Sequence, residues 1–276
     1  RIDLKFGKNI FLSFCPERIA EGKALIEFES LPQIIGFEDE ESYNRANEIF
    51  IKLAPETLKT NFISAELVKL FNNISRYINF SVANQFSIIA DTYDVDIYNI
   101  IRMTNYKYPR GTIEQPGFTA GTCLRKDFGM INESIPYTDL LLSAWKINEF
   151  MPKFLVENTK KRTQIHNKNI SVLGYTFKKD VDDVRDSLIP KLIRYLERET
   201  PKNIFVNDPN LGKSIDENYQ NVELNSCIPV SDIIYIAINH SEYEKEIKRI
   251  ISLTKKGTWI IDLWNVSKKG KIFYKV

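Results

Sequence analysis

From Ser64 to Tyr93 the chain runs for about eight helical turns without a glycine or a proline. Apolar residues recur three or four apart through this stretch, at Leu67, Leu70, Phe71, Ile74, Ile78, Val82, Phe86 and Ile89. That spacing is one face of a helix. Ser64 stands just before the run as a candidate N-cap. A helix this long either forms a plain core element or carries a subunit interface, and the sequence leaves both readings open. Shorter helical patterns at Glu41–Leu53, Asp96–Met103 and Thr138–Val156 make the first part of the chain mainly helical.

After about Lys160 the period changes. Asn169–Gly174, Asn203–Pro209, Ile233–Ile238 and Thr258–Asp262 read as short apolar strands. Helical stretches at Ser187–Glu199 and Glu242–Ser252 separate them. Strands alternating with helices imply right-handed crossovers and a parallel sheet covered on both faces. The expected fold class is therefore α/β: a helical domain over 1–160, then a Rossmann-like parallel-sheet domain over 161–276, with a polar boundary near 157–168. Ligands of such sheets sit at the carboxyl ends of the strands. The stretches after Gly174, Asp208, Asn239 and Asp262 are the candidate ligand loops.

Composition narrows the function classes. Thirty-eight Lys and Arg against 36 Asp and Glu give a formal charge of +2, which argues against a nucleic-acid-binding surface spread over the chain. A hydrophobic share of 43% and a charged share of 27% are globular values. No apolar run approaches the length of a membrane span, and Arg1–Lys8 has no signal-peptide core. Cys15, Cys123 and Cys227 are odd in number and scattered, and His166 and His240 are the only histidines. No disulfide framework or metal site is expected, and a cytoplasmic location is.

Four constellations carry candidate chemistry. Cys123 follows the small-residue loop Gly117–Thr122 and precedes Arg125, Lys126 and Asp127. Small residues let backbone N–H groups approach a ligand, and the two cations put positive charge beside the thiol. If the segment is helical, Asp127 at i+4 shares the face of Cys123, as a nucleophile beside a base or water-orienter. The alternative is a cysteine acting as a small buried apolar group. Glu17 and Glu21, four apart after the strand-like Asn9–Phe14, either orient a water or are solvated turn residues. Lys69 and Asn73, four apart on the long helix, either stabilise an oxyanion or are a snorkelling lysine beside a polar neighbour. Phe177–Ser187 contains Lys178 and Arg185 ahead of a helix start, which suits phosphate, with a charged surface turn as the competing reading. The chain contains neither a GxGxxG nor a GxxxxGK motif.

Taken in order, Pro16–Gly22, Glu66–Asn73, Gly121–Asp127 and Val172–Gly174 followed by Phe177–Asp180 and Asp183–Ser187 resemble the UDP-glucose/GDP-mannose dehydrogenase family, the nucleotide-sugar 6-dehydrogenases. The resemblance spans essentially the whole chain. It implies that Cys123 attacks a C6 aldehyde to give a thiohemiacetal, then a thioester that water hydrolyses. It implies that Lys69 and Asn73 stabilise the oxyanion, that Asp127 and Glu17 handle water and protons, and that Glu21 is a second acidic position. Phe177 and Lys178, with Gly117 and Gly121 of the cysteine loop, would contact the nucleotide sugar, and Arg185 would reach NAD. Arg110 resembles an arginine offered to substrate across a homodimer interface. The substrate class implied is a UDP-N-acetylhexosamine, with UDP-glucose and GDP-mannose as alternatives; neither nucleic acid nor membrane is an expected partner.

Three departures accompany the likeness. The family begins with an NAD-binding Rossmann domain, and this chain is expected to start just after it. Ala120 stands where the family usually has Gly, and Asp262–Asn265 lacks an arginine seen nearby in several members. A non-catalytic remnant that binds a nucleotide sugar or dimerises is the competing function class.

Overall fold

A computed structural model describes residues 4–134 and 136–276. It divides into two compact units, Arg1–Ser75 and Arg76–Val276.

The first unit is built on α1 (Ala24–Ser30), β1 (Gln33–Gly36), α2 (Glu40–Phe50), β2 (Thr57–Thr60) and the start of α3 (Phe62–Thr92). Strands β1 and β2 pair in parallel, Ile35 opposite Lys59, so α2 is the crossover of a small βαβ unit. Helix α2 starts where Asp39 accepts the Ser42 N–H at 2.9 Å and the Ser42 hydroxyl at 2.7 Å. Those bonds favour the ionised form and hold the Asp39 carboxyl below its ordinary range. Neither β1 nor β2 announced itself in the sequence. Instead, the strand-like Asn9–Phe14 is reduced to isolated bridges, one of them a pair of 2.8 Å bonds between Phe14 and Gly36. Gly36 is required there: a Cβ would lie 2.8 Å from the Ala65 side chain of α3.

The second unit contains the rest of α3, then α4 (Ile97–Asn105), α5 (Thr122–Ser134) and α6 (Asp139–Arg162). After these come β3 (Asn169–Leu173), α7 (Ile189–Glu197), β4 (Asn203–Asn207), α8 (Leu224–Cys227), β5 (Ile233–Ile236), α9 (Ser241–Leu253), β6 (Trp259–Asp262) and β7 (Phe273–Lys275). The sheet order is β4-β3-β5-β6-β7, parallel throughout except for β7, which runs antiparallel to β6. The alternation read from the sequence is thus a Rossmann-like sheet following a helical region, as expected. Residues of alternating parity feed two cores. Ile170, Val172, Ile233, Tyr235 and Ile261 pack with Leu155, Ile189, Leu192 and Leu196 on one face. Ile234, Ile236 and Ile260 pack with Tyr243 and Ile250 on the other. Because β3 is flanked by β4 and β5, the chain leaves β3 one way and enters β5 from the other. The carboxyl ends of β3 and β5 therefore mark a topological switch point, where ligands of such sheets bind.

The polar stretch near 157–168 is not an open connector. Helix α6 continues to Arg162, and Asn158 and Thr159 are buried. Thr159 accepts the Tyr235 hydroxyl at 2.8 Å, and Arg162 pairs with Asp91 at 2.8 Å while lying over the Phe273 ring. A run that is polar by composition is here a docked helix end, because Asn158, Thr159 and Arg162 each find a partner. Among the described residues no helix is long and apolar enough to cross a membrane.

Candidate active site

Two sets of sequence-predicted site residues fall in different units. In Arg1–Ser75, the structure brings Lys69 of α3 to Glu17, with Nζ 3.8 Å from Oε2. Glu17 also accepts the Ile19 N–H through Oε1, so the carboxylate stiffens its own loop while one oxygen faces the lysine. Asn73, one turn after Lys69, is half-buried. Glu21 is exposed, beside the turn at Gly22. The opening residues of the Pro16–Gly22 motif and the lysine of α3 thus form one polar edge.

The second unit carries the cysteine loop. Pro116 to Gly121 is buried, and Cys123 emerges exposed on the first turn of α5. Asp127, one turn later, is 3% exposed, with Lys126 Nζ 3.9 Å from its Oδ1. The segment is helical as the i+4 argument required, so Cys123 and Asp127 share a face. Arg125 is not turned to the sulfur. Its guanidinium lies 3.2 Å from both Glu149 and Asp186, and Lys191 completes the Glu149 pair at 2.8 Å. The positive charge expected beside the thiol is thus partly spent on tying α5 to α6 and to the loop after β3.

That loop meets the cysteine loop directly. Gly121 has φ +97°, and a Cβ there would lie 2.8 Å from the Phe177 ring. Its N–H reaches the Asp186 carbonyl at 3.4 Å. Phe177 is fixed by its own N–H on the Asp183 carbonyl at 3.0 Å, and Lys178 sits half-buried beside it with Nζ 5.3 Å from the ring centroid. Gly117 is equally constrained: its N–H donates to Asn84 at 2.9 Å, and a Cβ would lie 2.2 Å from the Trp264 indole. Ala120 is buried within the apolar cluster that includes Phe118, so its methyl is part of the core. Arg110 lies exposed, its guanidinium stacked on Tyr108 at 4.4 Å.

Sequence reading missed the polar supports of this loop. Asn84 of α3 donates to Asn148 of α6 at 2.9 Å, and Asn148 donates to the Tyr77 carbonyl at 3.2 Å. Both asparagines are wholly buried. The Tyr77 hydroxyl beside them is pushed up to about 12, by burial first and then by the Glu149 charge. It also missed Asp208 and His240, both fully buried at the carboxyl ends of β4 and β5. Their position just beyond apolar strands was the available signal.

The turn after β3 does not fit a dinucleotide pyrophosphate. The turn after β3 has the glycine such a fold uses, Gly174 at φ +97°, but Ile238 lies 2.5 Å from its Cβ position. The following Tyr175 and Thr176 N–H groups donate to Asp208 at 2.7 and 3.1 Å. Amides that would face a pyrophosphate are taken by a carboxylate. Burial pushes that carboxyl up, but the hydrogen bonds from His240 and the backbone outweigh it and the net shift is downward. Arg185 is exposed and pairs with its neighbour Asp183 at 2.7 Å. The Asp262 turn is also self-contained: its carboxylate accepts Val266 and Ser267 N–H at 3.0 and 2.8 Å, and burial leaves it above the ordinary carboxylate range.

Comparison with known proteins gives this geometry a context. Residues 63–149 match the central domain of the UDP-glucose/GDP-mannose dehydrogenase family, and residues 171–269 match its UDP binding domain. A UDP-N-acetyl-D-mannosamine dehydrogenase of Methanococcus aeolicus is 31% identical over 267 residues, covering 94% of this chain and 60% of that protein. The structure of UDP-D-ManNAc dehydrogenase from Pyrococcus horikoshii superposes with a TM-score of 0.83 at 28% identity, covering 95% of this chain and 63% of that one. The UDP-N-acetyl-mannosamine dehydrogenase structure from Staphylococcus aureus gives a TM-score of 0.80 at 26% identity, covering 96% and 63%. The chain spans about 60% of the length of the curated relatives it matches. With two domains of one family matched in order, and 95% of the chain superposing on a solved structure of a relative, the chain belongs to the UDP-glucose/GDP-mannose dehydrogenase family.

Proposed function

We propose that this chain forms the substrate-binding and covalent-catalysis part of a nucleotide-sugar 6-dehydrogenase, acting on a UDP-N-acetylhexosamine. The carrying observation is the packing of the cysteine loop on the loop after β3, Gly121 against Phe177. A nucleophile at the start of α5 and a lysine at the sheet's switch point thus serve one bound molecule. Residues 1–160 are the central, dimerising domain in this reading, and 161–276 bind the nucleotide. The relatives named as UDP-N-acetyl-D-mannosamine dehydrogenases favour the amino-sugar substrate.

The residues divide the chemistry as follows. Phe177 and Lys178 hold the nucleotide sugar, Gly117 and Gly121 let backbone approach it, and Arg110 reaches the substrate of a second copy. Lys69 and Asn73 stabilise negative charge on the C6 oxygen. Cys123 Sγ adds to the C6 aldehyde carbon, and the carbonyl π pair moves to oxygen, which takes a proton. Loss of hydride from C6 leaves the thioester. Asp127 and Glu17, with Glu21 as the second acidic position, orient the water that breaks the C–S bond; the products are the carboxylate and the restored thiol. NAD supplies the hydride acceptor for each oxidation, and Arg185 is the residue of this chain that would touch it.

Substitution of the three cysteines in the intact enzyme tests the reading. Cys123→Ser should cut sugar-acid formation by about three orders of magnitude or more. Cys15→Ser and Cys227→Ser should leave turnover near normal, since burial pushes both thiols up and marks them as small packed groups. A folded Cys123→Ser enzyme with ordinary turnover would refute the assignment.

A further inference from the structure

His240 is fully buried at the carboxyl end of β5 and takes no part in the chemistry described above. The Asp180 backbone N–H donates to its Nδ1 at 3.0 Å. A backbone N–H can only donate, so Nδ1 is the acceptor and Nε2 carries the ring proton. Asn210 Nδ2 meets the same Nδ1 at 2.9 Å. Nε2 in turn lies 3.1 Å from the Asp208 carboxylate and 3.3 Å from the Thr176 hydroxyl. Asp208 also accepts the Tyr175, Thr176 and Asn210 N–H groups, which holds it in place on that side of the ring.

Two of the ring's partners flank Lys178. Thr176 is two residues before it and donates its hydroxyl to the Lys178 carbonyl at 3.0 Å. Asp180 is two residues after it, at φ +56°, and its carboxylate accepts the Ser241 N–H at 2.8 Å at the start of α9. The backbone of Lys178 is therefore held at both shoulders by one imidazole.

We propose that His240 is a positioning residue for nucleoside-diphosphate recognition: its Nδ1 latches the Asp180 N–H and so presents Lys178 to the phosphates. The proposal rests on the reading that Lys178 contacts the nucleotide. Lysine is a flexible point charge, and fixing its backbone in advance lowers the ordering cost of binding. Nothing in the latch requires contact between His240 and the ligand.

Two near-isosteric replacements separate the latch from simple packing. His240→Asn puts an amide oxygen where Nδ1 was and keeps the acceptor for Asp180. His240→Gln reaches the Nε2 position, keeps a donor for Asp208 and loses the latch. With UDP as the calorimetric probe and the intact protein, His240→Gln should raise Kd about fivefold or more, and His240→Asn should stay within about twofold. Equal weakening by both, or by neither, overturns the latch. Lys178→Ala is the control: if it weakens UDP while His240→Gln does not, only the latch fails. If Lys178→Ala leaves UDP affinity unchanged, the reading of the loop fails and the latch with it. Should His240→Gln not fold, hydrogen exchange in the unaltered protein decides. A protected Asp180 amide supports the latch, and one exchanging as fast as exposed loop amides overturns it.

Discussion

Gly117 shows how little room the cysteine loop has. Its N–H is committed to Asn84, and the space on its other side is filled by the Trp264 indole, 2.2 Å from where a Cβ would stand. The indole has no easy retreat, because its Nε1 donates to the Ala237 carbonyl at 2.7 Å. Gly117→Ala should therefore destabilise the protein by about 1–3 kcal/mol, the usual cost of overpacking, and weaken UDP binding as the loop shifts. Urea unfolding beside the unaltered protein measures the first effect. An unchanged midpoint would mean the indole moves freely. Three residues on, the side chain of Ala120 is buried without conflict, so the loop's demand for glycine is local to 117 and 121. The glycines were legible in the sequence as a small-residue loop. Which of them a neighbour crowds was not, because Trp264 and Phe177 arrive from distant positions in the chain.

Helices α3 and α6 are joined at one buried polar point. Asn84 spends its amide nitrogen on Asn148 and its oxygen on Gly117, and Asn148 spends its nitrogen on the Tyr77 carbonyl. Truncating one member strands the others in a site with no solvent. Asn84→Ala leaves the Gly117 N–H and the Asn148 oxygen without these partners, and should cost about 2–4 kcal/mol. Thermal unfolding followed by circular dichroism reads this directly; a loss below about 1 kcal/mol would show that water or a rearranged Asn148 replaces the bonds. Periodicity revealed α3 and α6 because their apolar faces repeat locally. It was silent on Asn84 and Asn148, whose meaning depends on a pairing across 64 residues. The same locality explains the missed β1 and β2. Each is four residues long, and Thr57–Thr60 offers a single apolar side chain to read.

For the whole chain, the change from helical period to alternating strands was enough to anticipate a helical region followed by a parallel sheet. Strand ends also named the candidate ligand loops, since ligand loops of parallel sheets follow from direction alone. Strand order, the antiparallel β7 and the Asp208–His240 closure were not legible, because each depends on which distant strands pair. One feature of α3 was legible and stays unsatisfied within a single chain. Val82, Phe86 and Ile89, with Tyr93 just past the helix end, spaced four, three and four apart, are all exposed, Tyr93 at 74%. Beside them α3 and α4 line an apolar cleft of about 670 Å³ that includes Ile100 and Ile113. Apolar surface of this kind on one helix face marks an interaction site, and the expected occupant is the same face of a second copy, since a two-fold contact matches a patch to itself. The protein should therefore sediment as a dimer at micromolar concentration. Ile89→Glu, at a side chain 45% exposed, should yield a folded monomer, because two new carboxylates would face each other across the axis without partners. A monomer in the unaltered protein, or a dimer that survives Ile89→Glu unchanged, would remove α3 from the interface and leave its apolar face to another partner.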